Sequence, residues 1–308
     1  MMAVADQLEL QLQHGTIIAG KWKGGRYRIE RLLGEGANGK VYLVESRGRR
    51  YALKVGADAV DLQSEINGLQ ALARQGTPRE EPFLVEVDDF RDGRGHEYPF
   101  YVMRYVRGKP LADYIAKEGP EWVPLIGYHL LMRLAALHEA GWVFGDLKPD
   151  NVLVAEYGRA QLVDYGGVTA IGSGVRQFTE VFDRGYWSAG SRTADPQYDL
   201  FSFAVLFIQL VEGKRLDELT RTLLPHSRVP AELLRLAEDH PVLAPARGWL
   251  RRALQGEFGS AREAAASWQR ELHRARVARP AGSGPRWLGG LFVASALLLA
   301  TTIFWLVR

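Results

Sequence analysis

Residues 144–166, FGDLKPDNVLVAEYGRAQLVDYG, hold Asp146, Lys148, Asn151 and Asp164 at set intervals around a hairpin-like pattern. The runs 152–154 and 161–163, joined by Glu156, Tyr157, Gly158 and Arg159, alternate as two short strands and a turn do. Taken singly, an aspartate beside glycine is commonly a turn residue and an asparagine after aspartate commonly a cap. Taken together, the four have the spacing of a site that transfers a phosphoryl group, where positioning and charge neutralisation matter more than covalent chemistry. In such a site Asp146 orients and accepts the proton of an attacking hydroxyl. Asn151 and Asp164 ligate two metal ions, the latter bridging nucleotide phosphates.

Two upstream elements agree. Leu33-Gly34-Glu35-Gly36-Ala37-Asn38-Gly39-Lys40-Val41 is a glycine-rich turn between strand-like runs. Glycines let backbone N–H groups approach anionic oxygens that side chains would obstruct. A strand pattern follows this turn, where a dinucleotide fold requires a helix, so it reads as a hairpin lid. Next, Tyr51-Ala52-Leu53-Lys54-Val55 presents a single lysine suited to α- and β-phosphates. Glu65, within the helical pattern Leu62, Ile66, Leu69, Leu72, is its ion-pair candidate. The plain alternative is a pair of solvated surface charges.

In this order the motifs resemble the Hanks-type (eukaryotic-like) bacterial serine/threonine protein kinases over residues 15–272. The resemblance implies an α+β, two-lobed protein-kinase fold. A small mostly-β lobe would cover about 15–103 and a large mostly-α lobe about 108–272, after an N-terminal extension over 1–14. It implies ATP with Mg²⁺, or Mn²⁺ in its place, and protein substrates. Position by position, it assigns Lys54, Glu65, Asp146 and Lys148 to catalysis, and Asn151 and Asp164 to metal. Gly34, Gly36 and Gly39 cover the phosphates, while Val41, Ala52 and Leu153 join Lys54 around the nucleotide. Met103 lines the back of the adenine pocket, and the backbone of Arg104 and Val106 hydrogen-bonds the base. Asp199 opens a buried helix and braces the catalytic loop. Lys148 within Asp-Leu-Lys-Pro-Asp-Asn points to serine/threonine over tyrosine.

Several positions depart from the family pattern. Phe144-Gly145 stands where His-Arg is usual, which removes the arginine that pairs with a phosphorylated loop. Tyr165 replaces phenylalanine, tolerable if its hydroxyl finds a polar partner. The segment 186–190 lacks the usual glutamate, and Glu257 stands near the place of its arginine partner. Losing both halves of a buried pair costs far less than losing one. The loop 167–182 carries Thr169, Ser173 and Thr179 as phosphorylation candidates, modified in trans by a homodimer partner, with Arg176 or Arg184 as substitute phosphate partners.

The chain has 308 residues, 47% hydrophobic and 24% charged, enough for one two-lobed domain with extensions. It has no cysteine, which excludes disulfides and thiolate chemistry. Its formal charge of +3 hides a basic stretch over 262–286. Residues 261–276 read as a helix with Ala265, Trp268 and Leu272 buried, and 273–286 as a basic juxtamembrane linker. Arg270, Arg274, Arg276 and Arg279 are the polyanion-binding candidates, for an anionic membrane surface or for DNA. Residues 287–307 carry no charge and are long enough to span a bilayer as a single transmembrane helix, with Trp287 and Trp305 near its ends. Arginines on its N-terminal side put the kinase domain in the cytoplasm of a single-pass cell-membrane protein, and no signal peptide or outer sensor domain is expected. This plan resembles the membrane-anchored, sporulation-associated kinases of endospore-forming bacteria, for which DNA acting through the linker is the implied activator. Two other classes stay open: a small-molecule phosphotransferase, whose Gly-Asp pair Gly145-Asp146 echoes, and an inactive kinase-like scaffold at the membrane. Lys148 opposes the first; retention of Lys54, Asp146, Asn151 and Asp164 opposes the second.

Overall fold

The computed structural model describes residues 10–36, 39–56, 59–75, 83–238 and 240–278, with Ser295, Leu299, Trp305 and Leu306 beyond them. The small lobe is a six-stranded antiparallel sheet built from β1 (Ile17–Ala19), β2 (Arg26–Gly36), β3 (Gly39–Ser46), β4 (Arg49–Gly56), β5 (Leu84–Arg91) and β6 (Glu97–Arg104), in the order β1-β2-β3-β4-β6-β5. Helix α1 (Ala59–Gln75) packs on it. Successive side chains of a strand point to opposite faces, so β4 and β6 each serve two cores. Leu53, Val55, Phe100 and Val102 enter the small-lobe core with Ile29 and Val44. Ala52, Tyr101 and Met103 face the other way, toward α1 and the large lobe. Lys54 shares that second face, and its register partner is Tyr101. On α1, Leu62, Ile66 and Leu69 are buried at helical spacing, as the periodicity predicts.

The small lobe begins earlier than expected. Leu10 is buried in its core with Leu12 against it, and Gly15 N–H donates to the Ile29 carbonyl. The segment assigned to an N-terminal extension therefore contributes apolar surface to the sheet.

The large lobe is mostly helical. After β7 (Lys109–Pro110) come α2 (Leu111–Glu118), α3 (Val123–Glu139), β8 (Trp142–Val143), β9 (Val152–Ala155), β10 (Arg159–Leu162), β11 (Thr169–Ala170), α4 (Pro196–Thr222), α5 (Pro230–Glu238), α6 (Arg247–Leu254) and α7 (Ala261–Ala278). β9 and β10 form the expected hairpin, with Leu153 opposite Gln161 and β7 on its outer edge. Helix α4 starts cleanly because Asp195 caps the Tyr198 N–H and Pro196 occupies the first turn. Leu200 and the run 203–208 are fully buried, which an apolar segment on every face requires. Phe203, Phe207, Trp249 and Trp268 interlock at centroid distances of 4.6–5.3 Å and join α4, α6 and α7. Gly127 on α3 lies so close to the Trp268 ring that a β-carbon would overlap it, so α3 and α7 pack at short range.

The basic C-terminal region divides accordingly. Ala265, Trp268 and Leu272 are buried, making α7 the last helix of the lobe. Arg262 is paired with Glu139, 2.7 Å away, and Arg270 is exposed. Arg274 and Arg276 continue α7, so the first residues assigned to a linker are helical. Arg279 and nearly all of 287–307 lie outside the described residues. Among the described residues no helix is long and apolar enough to cross a membrane.

Candidate active site

The cleft between the lobes gathers side chains from segments far apart in the chain. Lys54 Nζ on β4 donates to both carboxylate oxygens of Glu65 at 2.8 Å and to Asp164 Oδ1 at 2.9 Å. Lys54 is 3% exposed and Glu65 fully buried, which rules out a solvated surface pair. The short interval from Lys54 to Glu65 is bridged because α1 follows β4 closely and turns its second helical turn onto the sheet. Tyr101, beside Lys54 in the register, donates its hydroxyl to Glu65 at 2.8 Å. Burial works against the charge on Lys54, yet Glu65 and then Asp164 outweigh it and raise the ammonium's pKa. Burial also disfavours the Asp164 anion, but Lys54 and the Gly166 N–H hold its pKa below the usual carboxylate range. The lysine stays a cation and Asp164 an anion throughout the neutral range.

A second cluster forms on the large lobe. Asp146 is buried and each carboxylate oxygen is engaged: Lys148 Nζ donates to Oδ2 at 2.7 Å, and Thr179 Oγ1 donates to Oδ1 at 2.8 Å. Lys148 also reaches Thr179, at 3.3 Å. Asn151, buried, donates from Nδ2 to the Asp146 carbonyl at 2.8 Å, and its amide oxygen is a hard acceptor of the kind a divalent ion takes. The Val163 N–H donates to the Asn151 carbonyl, so the hairpin ties Asn151 and Asp164 to one frame. Asp164 has positive φ and a side chain 45% exposed. A carboxylate and a carboxamide oxygen fit a hard divalent ion that keeps water and phosphate ligands, as Mg²⁺ does, and Mn²⁺ takes the same donors. Such an ion would neutralise phosphate charge when bound; Lys54 would orient the phosphates, and Asp146 would hold and receive the hydroxyl proton.

The catalytic loop rests on Asp199. Its carboxylate accepts from the Phe144 and Gly145 N–H groups at 2.8 and 2.9 Å, and His138 Nε2 lies 2.8 Å from it. Tyr165 contacts Phe144 on one side and Phe83 of the small lobe on the other, ring to ring, linking the lobes. The Tyr165 hydroxyl finds a polar partner in Gln161, and burial pushes its pKa up to about 12. Gly145 has φ +81°, and a β-carbon there would overlap the Gly167 carbonyl. Gly167 in turn approaches Asp146 so closely that a β-carbon would lie 2.9 Å from the aspartate's own. The two loops touch backbone to backbone, which is why glycine stands where the family has arginine.

Around the nucleotide face, Ala52 and Met103 are register partners and buried, and Val41 is paired with Lys54 in the adjacent ladder. Leu153 is half-buried on β9, opposite Pro110. Arg104 ends β6, and Val106 follows in the connection to β7. Gly34 and Gly36 face open space, whereas Gly39 is locked against the Val55 carbonyl at φ +128°.

The loop hydroxyls separate into different environments. Thr169 is buried and donates to the Gly167 carbonyl at 2.9 Å, and Thr179 is bound to Asp146. Of the three phosphorylation candidates only Ser173 is exposed. Thr179→Val should therefore lower kcat about tenfold, roughly one hydrogen bond's worth, with little change in KM for ATP. Thr179→Ser should restore the rate; an unaltered rate in the valine variant would remove Thr179 from the site. Arg184 is likewise not available to a phosphate, because it makes a bidentate pair with Asp195 at 2.6 and 2.8 Å and donates to the Ser191 and Thr193 carbonyls. Asp183, fully buried, accepts from Arg192, the Tyr198 hydroxyl and the Gly185 and Tyr186 N–H groups. These two pairs anchor the segment, and Trp187 fills apolar core in the region where the family has its glutamate. Asp183 and Asp195 escape a reading of the sequence because polar residues in loops follow no period, and Tyr101 escapes it because its strand position does not show which carboxylate its hydroxyl meets.

Comparisons with known proteins agree with this geometry. The protein kinase domain family matches residues 27–227. Serine/threonine-protein kinase YabT of Bacillus subtilis is 38% identical over 259 residues, covering 83% of this chain and 74% of YabT. PknA of Mycobacterium tuberculosis, also a serine/threonine-protein kinase, is 30% identical over 62% of this chain. PrkC of Bacillus subtilis is 26% identical over 64% of it. The chain spans 48% of PknA and 32% of PrkC. With a lysine, a glutamate and two aspartates converging between two lobes and these relatives alongside, the chain belongs to the protein kinase family and is a serine/threonine kinase of the bacterial Hanks type.

Proposed function

We propose that this kinase is a single-pass membrane protein whose catalytic domain faces the cytoplasm and transfers the γ-phosphoryl group of Mg²⁺-ATP to protein hydroxyls, its own included. The observation that carries the catalytic part is the pair of clusters, Lys54–Glu65–Asp164 and Asp146–Lys148–Thr179, held in one cleft. Asp146 is the proton acceptor, Lys148 accompanies the transferred group, Lys54 holds the nucleotide phosphates, and Asn151 and Asp164 are the metal ligands. A small-molecule phosphotransferase is disfavoured by Lys148, which sits beside the acceptor position. The uncharged stretch 287–307 supports membrane attachment, and Arg270, Arg274, Arg276 and Arg279 preceding it support contact with a polyanion. Among polyanions, DNA fits the resemblance to kinases of endospore formers, and anionic lipid fits the position next to the span.

Removing residues 287–308 should release the kinase to the soluble fraction with its activity intact. Autophosphorylation of that truncated form, measured with labelled ATP against duplex DNA and against anionic vesicles at two salt concentrations, separates the readings. Stimulation by DNA should weaken with salt by a slope near 0.9 per phosphate neutralised, and disappear when the four arginines become alanine. Stimulation by vesicles alone would assign the arginines to lipid. A truncated form that stays in the membrane fraction would overturn the anchor.

A further inference from the structure

Beside the connection between the lobes lies an open cleft of about 920 Å³ lined by arginines. Arg50 comes from the start of β4, Arg104 from the end of β6, Arg107 from the connection between the lobes, Arg133 from α3 and Arg159 from the start of β10. Arg49 lines it too and has a partner of its own. Two carboxylates reach the cleft, and both are taken: Glu30 pairs with Arg50 at 3.1 Å, and Glu45 with Arg28 from outside it. Arg104, Arg107, Arg133 and Arg159 have no carboxylate partner among the described residues. Four arginines lining one cleft without a paired carboxylate give it a positive potential, and a bound anion is the simplest way to offset it.

We propose that this cleft is a binding site for a small soluble anion carrying several phosphates, held by Arg104, Arg107, Arg133 and Arg159. Guanidinium forks match phosphate oxygens two bonds at a time, and several phosphates are needed to answer four cations. The volume is that of a small-molecule site, about 300–1,000 Å³. A bilayer is flat and a duplex broad, so each would meet the rim while leaving the concave interior unneutralised. The site adjoins the nucleotide pocket at Arg104 and Val106, and none of Lys54, Asp146, Asn151 or Asp164 lines it.

Calorimetric titration of the full-length chain with inorganic tripolyphosphate in metal-free buffer tests this. Saturable binding is expected, weakening as salt rises, with Kd at least about tenfold higher in Arg133→Glu/Arg159→Glu. Lys54→Met, a substitution that lies outside this cleft, should leave Kd unchanged in the folded protein. Arg133→Gln/Arg159→Gln preserves side-chain bulk and should weaken binding by a smaller factor, so the test survives if the glutamate variant does not fold. Equal affinity in wild type and both double variants would overturn the proposal, as would loss of binding in Lys54→Met alone. A response only to a short oligonucleotide or to anionic vesicles, with tripolyphosphate silent, would also overturn it.

Discussion

Asp146→Asn should lower the rate of phosphoryl transfer, both to a generic basic protein and in autophosphorylation, by about 10²–10⁴-fold. Asparagine keeps the size of the side chain: its one amide oxygen can still accept from Lys148, which contacts Oδ2 at 2.7 Å, and its NH2 replaces Oδ1 and donates to the Thr179 hydroxyl, which reaches that oxygen at 2.8 Å. It cannot take a proton or carry the negative charge that an attacking hydroxyl needs beside it. The loss should therefore fall on kcat, while KM for ATP and the thermal midpoint stay near wild type. Retention of most of the rate at saturating Mg²⁺-ATP would show that Asp146 is not the proton acceptor. Lys54→Ala makes a useful contrast. It leaves Glu65 buried with only the Tyr101 hydroxyl, so destabilisation should accompany inactivity.

Restoring the family's arginine at position 145 should damage this kinase. Gly145 sits at φ +81°, in the left-handed region, where a non-glycine residue costs roughly 1–2 kcal/mol, and its missing β-carbon is what admits the Gly167 carbonyl. Overpacking adds about 1–3 kcal/mol. Gly145→Ala should show most of the combined penalty in chemical denaturation, and Gly145→Arg at least as much. Activity should fall further than stability accounts for, because the displaced Gly167 turn follows Asp164 directly and the loop carries Asp146. A Gly145→Arg protein as stable as wild type, and more active after loop phosphorylation, would mean that the backbone has a second conformation open to it.

The candidate catalytic residues were legible as a set because each lies in a short local pattern. Asp146, Lys148, Asn151 and Asp164 ride on a hairpin whose alternation is visible, and Lys54 sits on a strand whose partner residues alternate likewise. The helix bearing Glu65 announces itself by Leu62, Ile66 and Leu69. Even the pairing of Lys54 with Glu65 was a fair inference, since both must turn to the same cavity. The extent of the small lobe was not: Leu10 and Leu12 stand in a segment with no strand pattern and join the core through apolar packing and through the Tyr42 hydroxyl, which accepts from the Leu12 N–H and donates to the Leu10 carbonyl. The loop residues were least legible. Thr169 and Thr179 look like any exposed hydroxyls in sequence, yet one is bonded to Gly167 and the other to Asp146. Arg184, a plausible phosphate partner on paper, is committed to Asp195.

The alternation of strands, the apolar stripes of the helices and the order of the candidate phosphotransfer residues all follow from local periodicity and covalent spacing. Only the tertiary structure decided which distant polar groups meet: Lys54 with Asp164, Thr179 with Asp146, Asp183 with Arg192 and Tyr198, and the arginines that line one cleft beside the connection between the lobes. Hydrogen bonds and ion pairs between loops carry no period. Their partners are chosen by how the two lobes and their helices pack, and a buried donor or acceptor must find whichever group that packing brings within about 3 Å.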